Sequence, residues 1–133
     1  MSDKRHLKYS VDAKDVHKTI DRYMLADGFP MVFDLRKSHG IFCHDALTGK
    51  DYLDMFTFFA SSPIGHNHPK LTTPEMLQFL GEVAVNNVTN SDLYTTEMAT
   101  FVETFFQLAV PKGFKHVFFI AGGALGIENA LKA

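Results

Sequence analysis

The chain has 133 residues, 46% of them hydrophobic, with thirteen Lys and Arg against fifteen Asp and Glu and a formal net charge of -2. That composition is globular, which excludes a disordered or collagen-like chain, and the near-neutral balance leaves no basic footprint for nucleic acid or an anionic membrane surface. One cysteine, Cys43, forms no disulfide framework, and the polar stretch Met1–Ser10 has no apolar core of a secretory signal. We therefore expect a soluble, cytoplasmic protein with no membrane span.

In Val11–Met24, the residues Val16, Ile20, Tyr23 and Met24 recur at helical spacing, with Ser10 or Asp12 placed to cap and Asp27-Gly28 to stop the helix. From Met31 the pattern changes to short alternating runs, Met31–Arg36, Ile41–Asp45 and Tyr52–Met55, separated by Ser38-His39-Gly40 and Ala46–Lys50. These predict two or three antiparallel strands joined by tight turns, a meander that needs a partner layer. Phe56–Ile64 is apolar but broken by Thr57, Ser61, Ser62 and Pro63, so it reads as irregular. Thr73-Pro74-Glu75 is a strong helix start, combining a capping hydroxyl, proline at the first position and an acid facing the dipole.

Val85–Ser91 is asparagine-rich and predicts a loop. A further helix begins at Thr95 or Thr96, burying Met98, Phe101, Val102, Phe105 and Ala109, and Pro111 with Gly113 stops it. His116–Ile120 is a continuous apolar run, as in a strand covered on both faces. After Ala121-Gly122-Gly123 another helix starts, with Ala124, Ile127, Ala130 and Leu131 on one side. No cap residue closes it before Ala133, and the apolar run lacks a parallel neighbour; both features suggest an N-terminal fragment.

Five places carry chemistry-bearing residues. Glycines after a buried strand let the backbone turn tightly, and the free N–H groups of the next helix attract an anion, so Gly122-Gly123 is a candidate phosphate cradle. It matches neither the P-loop nor the dinucleotide fingerprint, and on spacing alone a structural strand-to-helix turn is the safer reading. His66-Asn67-His68 has the spacing of two ligands on one strand face, with only His44 or Asp45 as third candidates, so we assign no metal site and read a loop fixed by Pro69. Ser61-Ser62 lacks a nucleophile elbow and reads as pocket lining, Cys43 as an inert strand residue, and Asn90-Ser91-Asp92 as a capping cluster.

Taken in order, these segments resemble a known family. Ser38-His39-Gly40, the run from Asp51 through Tyr52-Leu53-Asp54-Met55-Phe56 to Ser62, Gly65-His66-Asn67-His68-Pro69, Asn90-Ser91-Asp92-Leu93-Tyr94, Phe101–Phe105 and Gly122–Lys132 carry the likeness. They resemble the N-terminal part of class III pyridoxal-phosphate-dependent aminotransferases, from about Val16 to Ala133, and within that class the lysine-transaminating enzymes. The resemblance implies an α/β fold, namely the N-terminal part of a fold-type-I transferase with a small-domain β-meander and the start of the large parallel-sheet domain. It implies residues 1–70 as N-terminal arm and small-domain segment, and 71–133 as the start of the cofactor-binding domain.

The resemblance further implies pyridoxal 5'-phosphate as cofactor, its phosphate held by main-chain N–H groups of Gly123 and Ala124 with Gly122 permitting the approach. Ser61, Ser62, Pro63 and Ile64 would wall the substrate channel. The implied reaction moves the ε-amino group of L-lysine to 2-oxoglutarate in a homodimer, giving 2-aminoadipate 6-semialdehyde and glutamate, with no nucleic-acid or membrane partner. Ala121, where lysine enzymes often carry an acid, departs from the pattern without touching the main-chain cradle. The family's Schiff-base lysine, pyridine-pairing aspartate and carboxylate-gripping arginine belong to later segments. No catalytic residue is therefore expected here, Lys132 matches a helix lysine, and the fragment is expected to be inactive alone. An ornithine- or 4-aminobutyrate-type enzyme is the alternative, disfavoured by Leu125 where those relatives carry glutamate; a non-catalytic binding or dimerisation remnant is another.

Overall fold

Phe42–His44 (β1) and Asp51–Leu53 (β2) pair antiparallel, with Phe42 opposite Leu53, Cys43 opposite Tyr52 and His44 opposite Asp51. The computed structural model describes residues 9–90 and 92–133, and among them this is the one regular sheet. The chain divides into two compact units, Met1–Val85 and Asn86–Ala133.

In the first unit the connection between the strands is built on Asp45. Its carboxylate accepts N–H bonds from Val32 (2.9 Å), Leu47 (3.0 Å) and Thr48 (3.3 Å) and the Thr48 hydroxyl (2.7 Å), while Gly49 takes a positive φ of 71°. Those donors hold the Asp45 carboxyl at about 2, the Thr48 hydroxyl contributing most. A carboxylate with this many donors tolerates burial, and Asp45 is 1% exposed. Ser38, also buried, accepts the His44 N–H at 2.9 Å.

The third expected strand, within Met31–Arg36, shrinks to one bridge, Phe33 to Asp45, flanked by Asp34 N–H to His44 O and Ala46 N–H to Val32 O. The Asp34 carboxylate caps the turn that follows, accepting from Arg36 and Lys37, and so pulls the backbone out of the ladder. A second closure is reciprocal: Gly40 and His66 exchange N–H···O bonds of 2.9 and 2.8 Å. It requires Gly65, whose φ is +78° and where an added Cβ would stand 2.3 Å from the Gly40 carbonyl oxygen.

Between these closures lies α2 (Thr57–Ala60), a single helical turn of the wrong hand. Phe58 (φ 47°, ψ 52°) and Phe59 (φ 54°, ψ 46°) are left-handed, and Thr57 and Ala60 also have positive φ. Such a conformation costs L-residues roughly 1–2 kcal/mol each. Here it is held by Asp54, which accepts the N–H groups of Phe56 and Thr57 at 2.9 and 2.7 Å, and by edge-to-face packing of Phe33 on Phe58 and Phe29 on Phe56. The irregularity read from Phe56–Ile64 is therefore a mirror-handed turn.

The helix expected over Val11–Met24 is shorter, a 3-10 turn Ala13–Asp15 followed by α1 (Val16–Asp21). Asp12 makes no side-chain cap bond, and Tyr23 and Met24 share the Ile20 carbonyl, which ends the helix early. Pro74–Asn86 (α3) starts as predicted, with the Thr73 hydroxyl accepting from Met76 N–H at 3.2 Å, but continues into the segment expected to be loop.

In the second unit, Thr96–Leu108 (α4) is capped by Thr95, whose hydroxyl accepts from Met98 N–H at 3.1 Å. Phe101, Phe105 and Phe119 form an aromatic cluster with centroids 5.3–6.0 Å apart. Gly123–Lys132 (α5) follows Gly122. The strand expected over His116–Ile120 has no ladder among the described residues, and Phe118 is 74% exposed. An extended apolar run becomes a strand only through a neighbour's hydrogen bonds, and none of the described residues supplies them. Ser91 of the Asn90-Ser91-Asp92 cluster and most of Met1–Ser10 lie outside the described residues. No hydrophobic residue among those described is fully buried, and no described helix is long and apolar enough to cross a membrane.

Candidate functional site

In the second unit the glycines expected to cradle a phosphate stand where an extended segment turns into α5. Gly122 sits at φ 92° and ψ 138°, a region closed to L side chains, and its carbonyl accepts the Gly126 N–H at 3.0 Å. Glycine at the cap position offers no side-chain oxygen, so the first-turn N–H groups have no side-chain cap. Gly122, Gly123 and Ala124 are exposed, and a Cβ placed on either glycine would meet nothing within 4 Å. An open, uncapped start on a ten-residue helix fits a phosphate, because aligned peptide dipoles and converging N–H groups favour an anion there.

In the first unit Ser61, Ser62, Pro63 and Ile64 follow the left-handed turn directly. Ser61 N–H reaches Phe58 O and Ser62 N–H reaches Thr57 O, each at 3.2 Å, and Gly65 N–H closes on Ser62 O at 3.0 Å. The segment is thus a tight, backbone-bonded loop that leaves Ser61, Pro63 and Ile64 exposed and Ser62 half-buried. That arrangement presents a short polar-then-apolar edge.

The two histidines of His66-Asn67-His68 part company. His68 Nδ1 accepts the Lys70 N–H at 3.2 Å, a loop-closing role, whereas His66 turns inward and its Nε2 meets Asp54 Oδ2 at 2.7 Å. Asn67, at φ 48°, donates to the carbonyls of Leu35 and Ser38. The Cys43 sulfur lies 3.5 Å from the same His66 nitrogen. Burial and then the neighbouring Asp54 carboxylate push the Cys43 thiol up, so it is no activated nucleophile. Asp54 is held below the usual carboxylate range, chiefly by the Thr57 N–H, with His66 adding to it against the opposing effect of burial.

This Cys43–Asp54–His66 group was not anticipated from spacing. His44 and Asp45, the third ligands considered for the histidine pair, point to other partners: His44 Nδ1 meets Asp51 Oδ1 at 2.7 Å. The available signal was the strand alternation, which puts Cys43 on β1 beside the residue following β2. Beside the group opens a cleft of about 700 Å³, lined by Phe29, Met31, Cys43, Tyr52, Asp54 and Phe58 among others.

Residues 23–133 match the aminotransferase class-III family. The chain belongs to that family. It is 49% identical over 119 residues to an L-lysine-epsilon aminotransferase of Mycobacterium tuberculosis, covering 89% of this chain and 26% of that protein. To the L-lysine-epsilon aminotransferase of Streptomyces clavuligerus it is 44% identical over 125 residues, 93% of this chain and 27% of the relative. A solved structure of lysine aminotransferase from M. tuberculosis superposes with a TM-score of 0.87 at 46% identity, over 92% of this class III chain and 28% of the other. The chain therefore spans about a quarter of the length of the curated relatives it matches.

Proposed function

We propose that this chain is the N-terminal segment of an L-lysine 6-transaminase, contributing the cofactor-phosphate cradle and one wall of the substrate channel. The observation that carries the reading is the uncapped start of α5 behind Gly122 in a chain of the class III family. Gly123 and Ala124 would donate main-chain N–H groups to the phosphate of pyridoxal 5'-phosphate, while Gly122 keeps the approach free of side chain. When bound, that cofactor supplies the electron sink for exchanging an amino group between L-lysine and 2-oxoglutarate. What these residues do is narrower: the glycine turn anchors an anion, and Ser61, Ser62, Pro63 and Ile64 supply part of a substrate-channel wall.

Residues 1–70 serve as arm and small-domain segment and 71–133 as the start of the large domain of a cytoplasmic homodimer. The lysine assignment is supported by the 44–49% identity to lysine enzymes. The acetylornithine aminotransferase of Methanosarcina acetivorans, at 35% over a similar span, is less similar.

The test is titration of the purified chain with pyridoxal 5'-phosphate and inorganic phosphate. We expect saturable cofactor binding that phosphate displaces and that Gly122→Ala weakens about tenfold, since a strained φ costs roughly 1–2 kcal/mol. Affinity unchanged in Gly122→Ala would overturn the cradle. With L-lysine and 2-oxoglutarate added, no glutamate should form; its formation would overturn the placement of every catalytic group outside these residues.

A further inference from the structure

We propose that Cys43, Asp54 and His66 form a zinc site, with its fourth position open to the neighbouring cleft. The three residues offer one ligand atom each, all within 4.8 Å of one another. A thiolate, an imidazole and a carboxylate are the donor types zinc takes in tetrahedral sites. Donor atoms around such an ion stand roughly 3.3–3.6 Å apart. The Cys43–His66 separation of 3.5 Å already has that value, and the Asp54–His66 contact of 2.7 Å has to open by roughly 0.6 Å.

The arrangement argues against a nucleophile and its base. In such a pair the thiol and the acid engage opposite nitrogens of the imidazole, whereas here both converge on Nε2. Three donor atoms clustered within 4.8 Å of one another, rather than strung in a relay, suit a cation.

The supporting shell is in place before any ion arrives. Asp54 Oδ1 accepts from Phe56 and Thr57 N–H, which turns Oδ2 toward His66. The Asp54 N–H is fixed to Ile41 O at 2.8 Å, Cys43 is paired within the ladder, and the two reciprocal backbone hydrogen bonds between Gly40 and His66 fix the third ligand. The His66 and Asp54 side chains are 6% and 5% exposed, while the cleft touches Cys43 and Asp54 and gives access for the ion and a water. On binding, the sulfur–hydrogen bond of Cys43 is replaced by a sulfur–zinc bond and that proton passes to solvent. The Nε2 proton of His66 gives way to the ion and moves to Nδ1 through water.

Cobalt(II) is the probe, because a tetrahedral thiolate-bound ion shows an intense visible spectrum and a sulfur-to-metal charge-transfer band. The reduced, chelator-treated chain should bind one equivalent with both features, and one equivalent of zinc should erase them. Cys43→Ser should abolish the charge-transfer band, and His66→Gln should weaken binding at least tenfold. His68→Ala and His44→Ala should change neither. Circular dichroism of each variant reports folding, and Asp54→Asn gives a second variant that keeps size and shape. A weak octahedral spectrum without the band overturns the site, as does a band that survives Cys43→Ser or disappears in His68→Ala.

Discussion

The two units of the chain hold their shape by different means. In Met1–Val85 the fixed points are polar and local: Asp45 gathers four donors, Asp54 takes two N–H groups and a histidine, and Gly40 and His66 bond each other twice. In Asn86–Ala133 they are an N-cap, a three-ring cluster and two helices, with an extended apolar run that pairs with nothing described. The first unit carries its own hydrogen-bond partners; in the second, His116–Ile120 finds no ladder partner among the described residues. Substitutions should therefore be costly in the first unit wherever they strike a junction, and mild in the second wherever they strike only a helix.

The largest effect is expected at Gly65. Gly65→Ala forces a Cβ to within 2.3 Å of the Gly40 oxygen at a positive φ, and should cost about 3 kcal/mol or more in denaturant unfolding. A loss below 1 kcal/mol would show that the Gly40–His66 closure does not hold the unit together. Acidification comes next. The Asp45 carboxyl is depressed to about 2 from 3.8, so its stabilisation is complete above about pH 4 and lost as pH falls toward 2. Asp34 and Asp54, both lowered, add in the same direction. The melting temperature should fall across that window, and Asp45→Asn should flatten the fall while lowering stability at neutral pH.

Smaller effects sharpen the contrast. Thr95→Ala removes the cap of α4 and should cost roughly 1 kcal/mol, seen as reduced helical ellipticity. Ala60→Gly works the other way. It relieves an L-residue at φ 65° on an exposed position, and should stabilise by up to about 1 kcal/mol after the added freedom of the unfolded glycine is counted. A destabilised Ala60→Gly would mean that the left-handed turn is not under strain.

Much of this was legible in the residues. Thr73-Pro74-Glu75 and Thr95 announced their helices, because capping is decided by neighbours within one turn. The Ala46–Lys50 turn was legible for the same reason. The mirror hand of α2 was not, since nothing in Thr57-Phe58-Phe59-Ala60 prefers positive φ; Asp54 and the aromatic packing around Phe33 impose it. The run His116–Ile120 has no ladder among the described residues because a continuous apolar pattern specifies burial, not which neighbour pairs with the strand. For the proposed phosphate site, the glycines at the start of α5 were visible as a local pattern. The convergence of Cys43, Asp54 and His66 was not, because His66 lies 23 residues from Cys43 and arrives only through the Gly40 junction.

The mutual Gly40–His66 junction also bears on how the polypeptide is made. The Phe42–Leu53 ribbon zips within microseconds of leaving the ribosome, being almost entirely short-range. The clasp must wait until Gly65 and His66 emerge, so at synthesis rates of roughly 5–20 residues per second the nascent ribbon spends on the order of a second with one flank unfastened. During that interval Phe33 and Phe58 lack the His66 ring they pack against, and closure of that one junction supplies it.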